Sequence, residues 1–309
     1  MSQADISKIL VICGPTASGK SNLAVRLAQV LDAEIVNADS MQIYRGLTIG
    51  TAKPSLEQQC QIRHHLIDVI DPDQQFSAAD YSVAADEAIR DIQLRGKRVV
   101  IVGGTGLYIR ALVHGLVDSP GGGGEIRQSL QEEAERSGNA AMLEKLQLVD
   151  PELAATLHPN NLVRIIRALE VYRLTGIPLS NFQKQHAFAQ RRYDTLHIGI
   201  SADRRILYQR IDERVEQMLS GGLINEVTRL LHAGYSRDLK ALRSIGYKEI
   251  AAYLLGEIPL EEAIRLIKRN TRHYAKRQLT WFKADPDILW FEYPEKFGTI
   301  QQHAIEFFE

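Results

Sequence analysis

Cysteine is nearly absent from this chain. Cys13 and Cys60 are the only two among 309 residues, which excludes a disulfide framework and any cysteine-rich zinc module. Long apolar runs are missing as well. No N-terminal stretch is long enough for a signal peptide and no segment is long enough for a membrane span, so a reducing, cytoplasmic setting without a membrane partner is expected. Nor does charge of one sign dominate. The formal net charge is −1, so contact with a polyanion has to come from local patches. No internal repeat is found. What remains is ordinary for a folded chain, with 45% hydrophobic and 24% charged residues. The length suits one large α/β domain with an insertion, or two domains. Cys13, at the end of an apolar run, reads as a small core residue.

The strongest positive signal is GPTASGKS at 14–21, which satisfies G-x-x-x-x-G-K-[ST] at every fixed position. The apolar run ILVIC (9–13) precedes it and reads as a buried strand; an amphipathic run over 21–31 follows and reads as a helix. That strand–loop–helix context is what the motif requires. Gly14, Pro15, Thr16, Ala17, Ser18, Gly19, Lys20 and Ser21 are then the expected cradle for a di- or triphosphate. Glycines let backbone N–H groups converge on phosphate oxygens, and the helix N-terminus adds a favourable dipole. Lys20 supplies a mobile positive charge, and the Ser21 hydroxyl is the expected protein ligand of Mg²⁺.

Strands and helices alternate over the first 115 or so residues. Strands are expected at 34–39, more weakly at 64–69, and at 97–102, with a helix over 77–95. Nearly continuous apolar strands joined by helices predict a parallel sheet covered on both faces, with ligands at the carboxyl ends of the strands. Asp39, Thr105 and the phosphate loop all lie at such ends. The pattern breaks at SPGGGG (119–124), helical periodicity holds to about 186, and strand character returns at 196–200. Helices are then expected near 203–219, 222–233, 247–255 and 260–283, followed by a strand at 288–291. The predicted architecture is an α/β phosphate-loop core from 1–119 and 193–309, interrupted by an all-α insertion over 120–192.

Charge is unevenly spread. Over 125–150 there are six acids against Arg127, Arg136 and Lys145; over 160–192 there are Arg164, Arg167, Arg173, Lys184, Arg191 and Arg192 against Glu170 alone. Over 263–283 stand seven bases and no acid, among Tyr274, Trp281 and Phe282. Charge runs are usually solvated faces. Two in a near-neutral chain, one carrying aromatics, raise the prospect of a nucleic-acid patch.

A phosphate loop alone cannot choose between kinase, NTPase and diphosphate-displacing transferase. The run NADSMQIYRG (37–46), followed by IGTAKP (49–54), narrows the choice. Asp39, at a strand end beside the loop, suits either a water-mediated Mg²⁺ ligand or a general base, with a plain capping role as the bland alternative. Ser40 and Gln42 suit the edge of a heterocycle. His64 and His65, adjacent on a strand, face opposite ways and read as structural. LRSIGYK (242–248) reads equally as a helix connection or as a segment near an RNA partner.

In order and spacing, GPTASGKS, NADSMQIYRGLTIGTAKP, VGGTGLYIRAL, RIIRALEVYRLTG and RNTRHYAKRQLTWF resemble the tRNA dimethylallyltransferases, also called tRNA isopentenyltransferases, from Ile9 to about Phe291. The resemblance implies a phosphate-loop fold with a helical insertion. It also implies transfer of the dimethylallyl group of dimethylallyl diphosphate to N6 of the adenosine 3′ of the anticodon (position 37). Gly14 to Ser21 would grip the diphosphate, with Ser21 on Mg²⁺ and Lys20, Thr105 and Asp39 as catalytic groups, Asp39 as the base. Asp39, Ser40, Met41 and Gln42 would meet the flipped adenine; Thr105, Arg127, Val163, Arg164, Ile165, Ile166 and Arg167 would be further tRNA contacts. Leu162 and Val163 stand where the family usually has Pro and Gln, and Gly121 to Gly124 replace more polar residues. A monomer is expected. The alternatives are a transferase acting on free adenine nucleotides, a small-molecule kinase, and a non-catalytic RNA-binding module. The basic runs speak against the first, and an insertion that opens acidic speaks against the second.

Overall fold

The computed structural model describes residues 7–116, 124–186 and 192–309. In chain order its elements are β1 Lys8–Cys13, α1 Lys20–Leu31, β2 Ala33–Asn37, α2 Leu56–Gln61, β3 His64–His65, α3 Ala78–Leu94, β4 Arg98–Gly103 and α4 Gly106–His114. Four helices follow: α5 Gly124–Val149, α6 Pro151–Ala154, α7 Leu162–Thr175 and α8 Leu179–His186. The sheet then resumes with β5 Asp194–Ser201, α9 Arg204–Ser220, α10 Leu223–His232, α11 Tyr247–Leu254, α12 Leu260–Lys283, β6 Ile288–Glu292 and α13 Phe297–Phe308. The chain divides into two compact units, Met1–Val113 with Arg192–Glu309, and His114–Arg191.

The first unit is an α/β layer structure around one parallel sheet of six strands in the order β3-β2-β4-β1-β5-β6. Its central strands are apolar on both faces, as a doubly covered sheet requires. On β1, Ile9, Val11 and Cys13 enter one core with Val99 and Ile101 of β4, while Leu10 and Ile12 enter the other with Val100 and Val102. The first core is closed by α3, α4, α10, α11 and α12, the second by α1 and α13. Register places Cys13 beside Gly103 and Gly199, and Asn37 beside Val102. The loops leaving β1, β2 and β4 therefore emerge side by side at the carboxyl edge, where such sheets bind ligands.

Three local expectations change. The strand over 64–69 stops after His65, because Leu66 and Asp68 take left-handed backbone (φ 61° and 55°) that cannot continue a strand. The short helix α2 was signalled by Ser55, whose hydroxyl accepts the Gln58 N–H while Gln58 reaches back, a capping box. Helix α13, absent from the sequence reading, buries Ile300 and Ala304 against the sheet.

The second unit has no strand among its described residues. Helix α5 is broken at Gly138, and Leu130, Met142, Leu146, Ile165 and Leu169 form its core. Buried Asp150 accepts the Leu153 N–H at 3.1 Å and the Ser180 N–H at 2.9 Å, fixing the starts of α6 and α8. This unit begins at His114, inside the last turn of α4, and not at 120 as the composition break suggests. Residues 119–123 of that break, and 187–191, lie outside the described residues. Among the described residues, no helix is long and apolar enough to cross a membrane.

Candidate active site

The phosphate loop leaves β1 at Gly14, whose φ of +148° and a backbone neighbour (Ile200 O, 2.8 Å from where a Cβ would stand) admit only glycine. The N-terminus of α1 carries no side-chain cap and no acid in its first turn, so its N–H groups remain available to an anion. The Ser18 hydroxyl is buried with no hydrogen-bond partner among the described residues. Lys20 Nζ donates to Pro15 O at 3.2 Å. Burial, with Arg214 nearby, lowers its pKa from 10.5 to about 8, against the opposing pull of Asp39.

Beside the loop, Asp39 ends the β2 segment. Its Oδ1 accepts the Met41 N–H at 2.9 Å, so it caps a turn and not a helix, and Oδ2 has no partner among the described residues. Thr105, just past β4, is locked to the same turn: its N–H donates to Ala38 O at 3.1 Å and its hydroxyl accepts the Ser40 N–H at 3.0 Å. Helix α12 crosses both. Gln278 Oε1 accepts the Thr16 N–H at 2.9 Å, and its Nε2 donates to Gly104 O at 2.9 Å. A Cβ on Gly104 would stand 2.1 Å from that nitrogen and would displace the amide.

Two cavities open here. The narrower, of about 60 Å³, is lined by Lys20, Ser21, Asn37, Gln42, His64 and Gln278 among others. The wider, of about 400 Å³, is lined by Ser40, Met41, Val215, Met218, Arg243 and Ile267 among others. Thr16, Asp39, Arg214 and Tyr274 line both. Asp39 is the only carboxylate in either lining among the described residues. Arg214 makes no hydrogen bond or ion pair among the described residues; burial lowers its pKa and Asp39 opposes the shift. An anion cradle with two desolvated cations thus adjoins a partly apolar chamber through a carboxylate.

Behind the site, buried Glu226 holds the loop that follows the Asp39 turn. It accepts N–H bonds from Thr48 (3.1 Å), Ile49 (2.9 Å) and Gly50 (3.1 Å), and the Tyr247 hydroxyl at 2.6 Å. Lys53 Nζ ties the far side of that loop to Tyr44 O at 2.5 Å and to Asp68 at 2.6 Å.

The profile of the IPP transferase family matches residues 42–285. The chain belongs to that family. tRNA dimethylallyltransferase 1 of Pelobacter propionicus is 65% identical over 304 residues, 98% of each chain. The tRNA dimethylallyltransferase of Geobacter sulfurreducens is 56% identical over 302 residues, 98% of this chain and 97% of the other. Among solved structures, the full-length tRNA isopentenylpyrophosphate transferase of Bacillus halodurans is 41% identical with a TM-score of 0.71, covering 97% of this chain and 96% of its own. A eukaryotic dimethylallyltransferase captured acting on tRNA is 29% identical with a TM-score of 0.80, over 97% of this chain and 78% of its own.

In this IPP transferase, the residues singled out by sequence divide into groups. Gly14 to Ser21, Asp39, Ser40, Met41 and Thr105 converge at the carboxyl edge. Gln42 lines only the narrow cavity, with its amide donated to Thr51 O and Ala52 O at 3.0 and 3.2 Å, so it braces a loop instead of facing the wide chamber. In the second unit Ile165 and Ile166 are buried in the helical core, which removes their side chains as RNA contacts, whereas Val163 is 83% exposed. Arg127 and Arg167 both pair with buried Glu170, at 2.7 and 3.0 Å. Exposed Arg164 has no such partner among the described residues. Arg173 and Lys145 pair with Glu133, and Lys184 with Glu152, so Arg167, Arg173 and Lys184 of the basic run are each paired with an acid.

Sequence reasoning missed Arg214, Gln278 and Glu226, and named Tyr274 only as an aromatic of the basic run. A signal for Tyr274 and Gln278 was present: Ile267, Thr271, Tyr274 and Gln278 recur at helical spacing along α12 and face the site, and Arg277 of the basic run lines the wide cavity beside them. Arg243, Ser244, Gly246 and Lys248 of the LRSIGYK segment line the wide cavity. His65 pairs with Glu34 at 2.6 Å, a structural role, but His64 lines the narrow cavity. Phe282 is core, and Trp281 packs against Gly106.

Proposed function

We propose that this IPP transferase moves the dimethylallyl group of dimethylallyl diphosphate to N6 of the adenosine 3′ of the anticodon in tRNA, releasing diphosphate. The observation that carries the reading is the meeting of the two cavities at Asp39. A donor held by its diphosphate on Lys20 and the amides of Gly14 to Ser21 would present its allylic carbon toward that junction. An adenine entering the wide chamber would present its exocyclic amine from the other side. Relatives named as tRNA dimethylallyltransferases over nearly the whole chain favour tRNA over a free nucleotide as acceptor.

The amine is a poor nucleophile because its lone pair is delocalised into the ring. Asp39 Oδ2, without a partner among the described residues and adjacent, would take the amine proton as the C–N bond forms, help typically worth about 10²–10⁴-fold. Lys20 and Arg214 would balance the charge of the departing diphosphate. Thr105, fixed to the Asp39 turn, would keep donor and base in register.

The residues present suit Mg²⁺. The buried Ser18 hydroxyl lacks a partner, and no cluster of three acidic, His or Cys side chains competes as a metal site among the described residues. Such an ion relies on phosphate and water for most of its ligands. Ser21 would hold it against the diphosphate, and when bound it supplies further neutralisation of the leaving group.

On the acceptor side Asp39, Ser40, Met41 and Thr105 would meet the extruded base. Val163, Arg164, Arg127 and Arg167 of the second unit would hold RNA backbone, offsetting the unstacking cost of a few kcal/mol. Nothing in this chemistry calls for a second chain or a membrane, and we place the reaction in the cytoplasm with one chain per tRNA. The test is incubation with labelled dimethylallyl diphosphate and either unmodified tRNA or AMP. Label is expected in tRNA alone; label in AMP and not in tRNA overturns the reading.

A further inference from the structure

The structure assigns Gln278 as a positioning residue of the transfer, a tether that holds the phosphate loop at a fixed offset from the base Asp39. Its carboxamide, 5% exposed, uses both ends across three segments. It accepts the N–H of Thr16 in the loop and donates to Gly104 O, one residue before Thr105, each at 2.9 Å, and it does so from α12. Thr105 in turn is bonded to Ala38 O and to the Ser40 N–H, the residues flanking Asp39. A path of hydrogen bonds and backbone therefore runs from the donor cradle through Gln278 and Gly104–Thr105 to the residues on either side of the general base.

Two features make this more than a packing contact. First, the bond removes one loop N–H from those free to meet an anion, an arrangement that sacrifices donor affinity. Second, the fit is close: a Cβ on Gly104 would stand 2.1 Å from Gln278 Nε2, so the glycine leaves the amide room to reach Gly104 O. A displacement of about 1 Å between reacting groups can cost about 100-fold in rate while leaving the outer binding contacts intact. Loss of the tether is thus expected in the chemical step and not in RNA affinity.

The inference rests on the transfer reaction proposed above, and wild-type enzyme in the same assay separates the two. Absence of wild-type transfer to tRNA counts against the reaction; a normal variant beside an active wild type counts against the tether. The experiment is single-turnover transfer of labelled dimethylallyl group to tRNA at saturating donor and RNA, with tRNA affinity by filter binding. For Gln278→Met, of similar length without the amide, a 10- to 100-fold slower step with tRNA Kd within twofold is expected. A rate within twofold of wild type, or a loss that lies wholly in tRNA affinity, overturns the assignment. Should Gln278→Met fail to fold, Gln278→Glu decides. It keeps an acceptor for Thr16, loses the donor to Gly104 and sets a carboxylate against the diphosphate. At least a tenfold slower single-turnover step at saturating donor, with unchanged tRNA Kd, is expected; a rate within twofold of wild type overturns the assignment.

Discussion

At the residue scale the site is governed by how few charges it contains. Two cations, Lys20 and Arg214, and one carboxylate, Asp39, face the narrow cavity and its junction with the wide one. Desolvation brings the Lys20 pKa to about 8, so the cation is present below that pH and is lost above it. Donor binding should then weaken with rising pH: KM for dimethylallyl diphosphate should be flat below about pH 7.5 and climb by up to tenfold per unit above about pH 8. A flat profile to pH 9.5 would show that Lys20 keeps its proton. For Arg214→Gln, removal of an unpaired guanidinium beside the leaving group should lower kcat/KM by about 10²-fold or more, about 2.7 kcal/mol in the transition state, with tRNA Kd little changed. Equal loss of RNA affinity would move Arg214 from the donor to the acceptor.

At the element scale, two devices position the site. One is α12, whose Ile267, Thr271, Tyr274 and Gln278 stripe faces the cavities. The other is Glu226 on α10, which gathers three backbone N–H groups and the Tyr247 hydroxyl around the loop after the Asp39 turn. Glu226→Ala leaves those buried donors unsatisfied and should cost about 3 kcal/mol, read as a lower urea midpoint at unchanged m-value. A midpoint shift under 0.5 kcal/mol equivalent would mean that water replaces the carboxylate. Sequence periodicity revealed α12 but drew attention to its bases, of which Arg277 lines the wide cavity, and away from the uncharged Ile267, Thr271 and Gln278 that also face the site. Glu226 was invisible for a different reason: an acid in an amphipathic helix looks solvated until tertiary contacts bury it.

At the scale of the whole molecule, the phosphate loop, the central strands β1, β2 and β4 and the interruption by helices were all legible, since each depends on local period and on backbone constraints written into glycines. The pairing of charges was not. Arg167 and Glu170 are an i,i+3 pair on α7, but Arg127 reaches Glu170, and Lys145 and Arg173 reach Glu133, only through helix packing in the second unit. A basic run counted along the chain therefore overstates the charge presented to a polyanion. Each phosphate contact contributes about 0.9 to the slope of log K against log salt on a duplex, and about 0.7 on single strands. Arg164→Ala should flatten the slope for tRNA by about that amount, and Arg127→Ala by less than half of it; the reverse order would show that the Glu170 pairs open on binding.

The central claim is that Asp39 stands between donor and acceptor as the base that takes the amine proton. Its most direct test is the single-turnover rate of Asp39→Asn with labelled dimethylallyl diphosphate and saturating unmodified tRNA. The account predicts a rate about 10²–10⁴-fold below wild type with tRNA and diphosphate affinities retained. A rate within tenfold of wild type would contradict it.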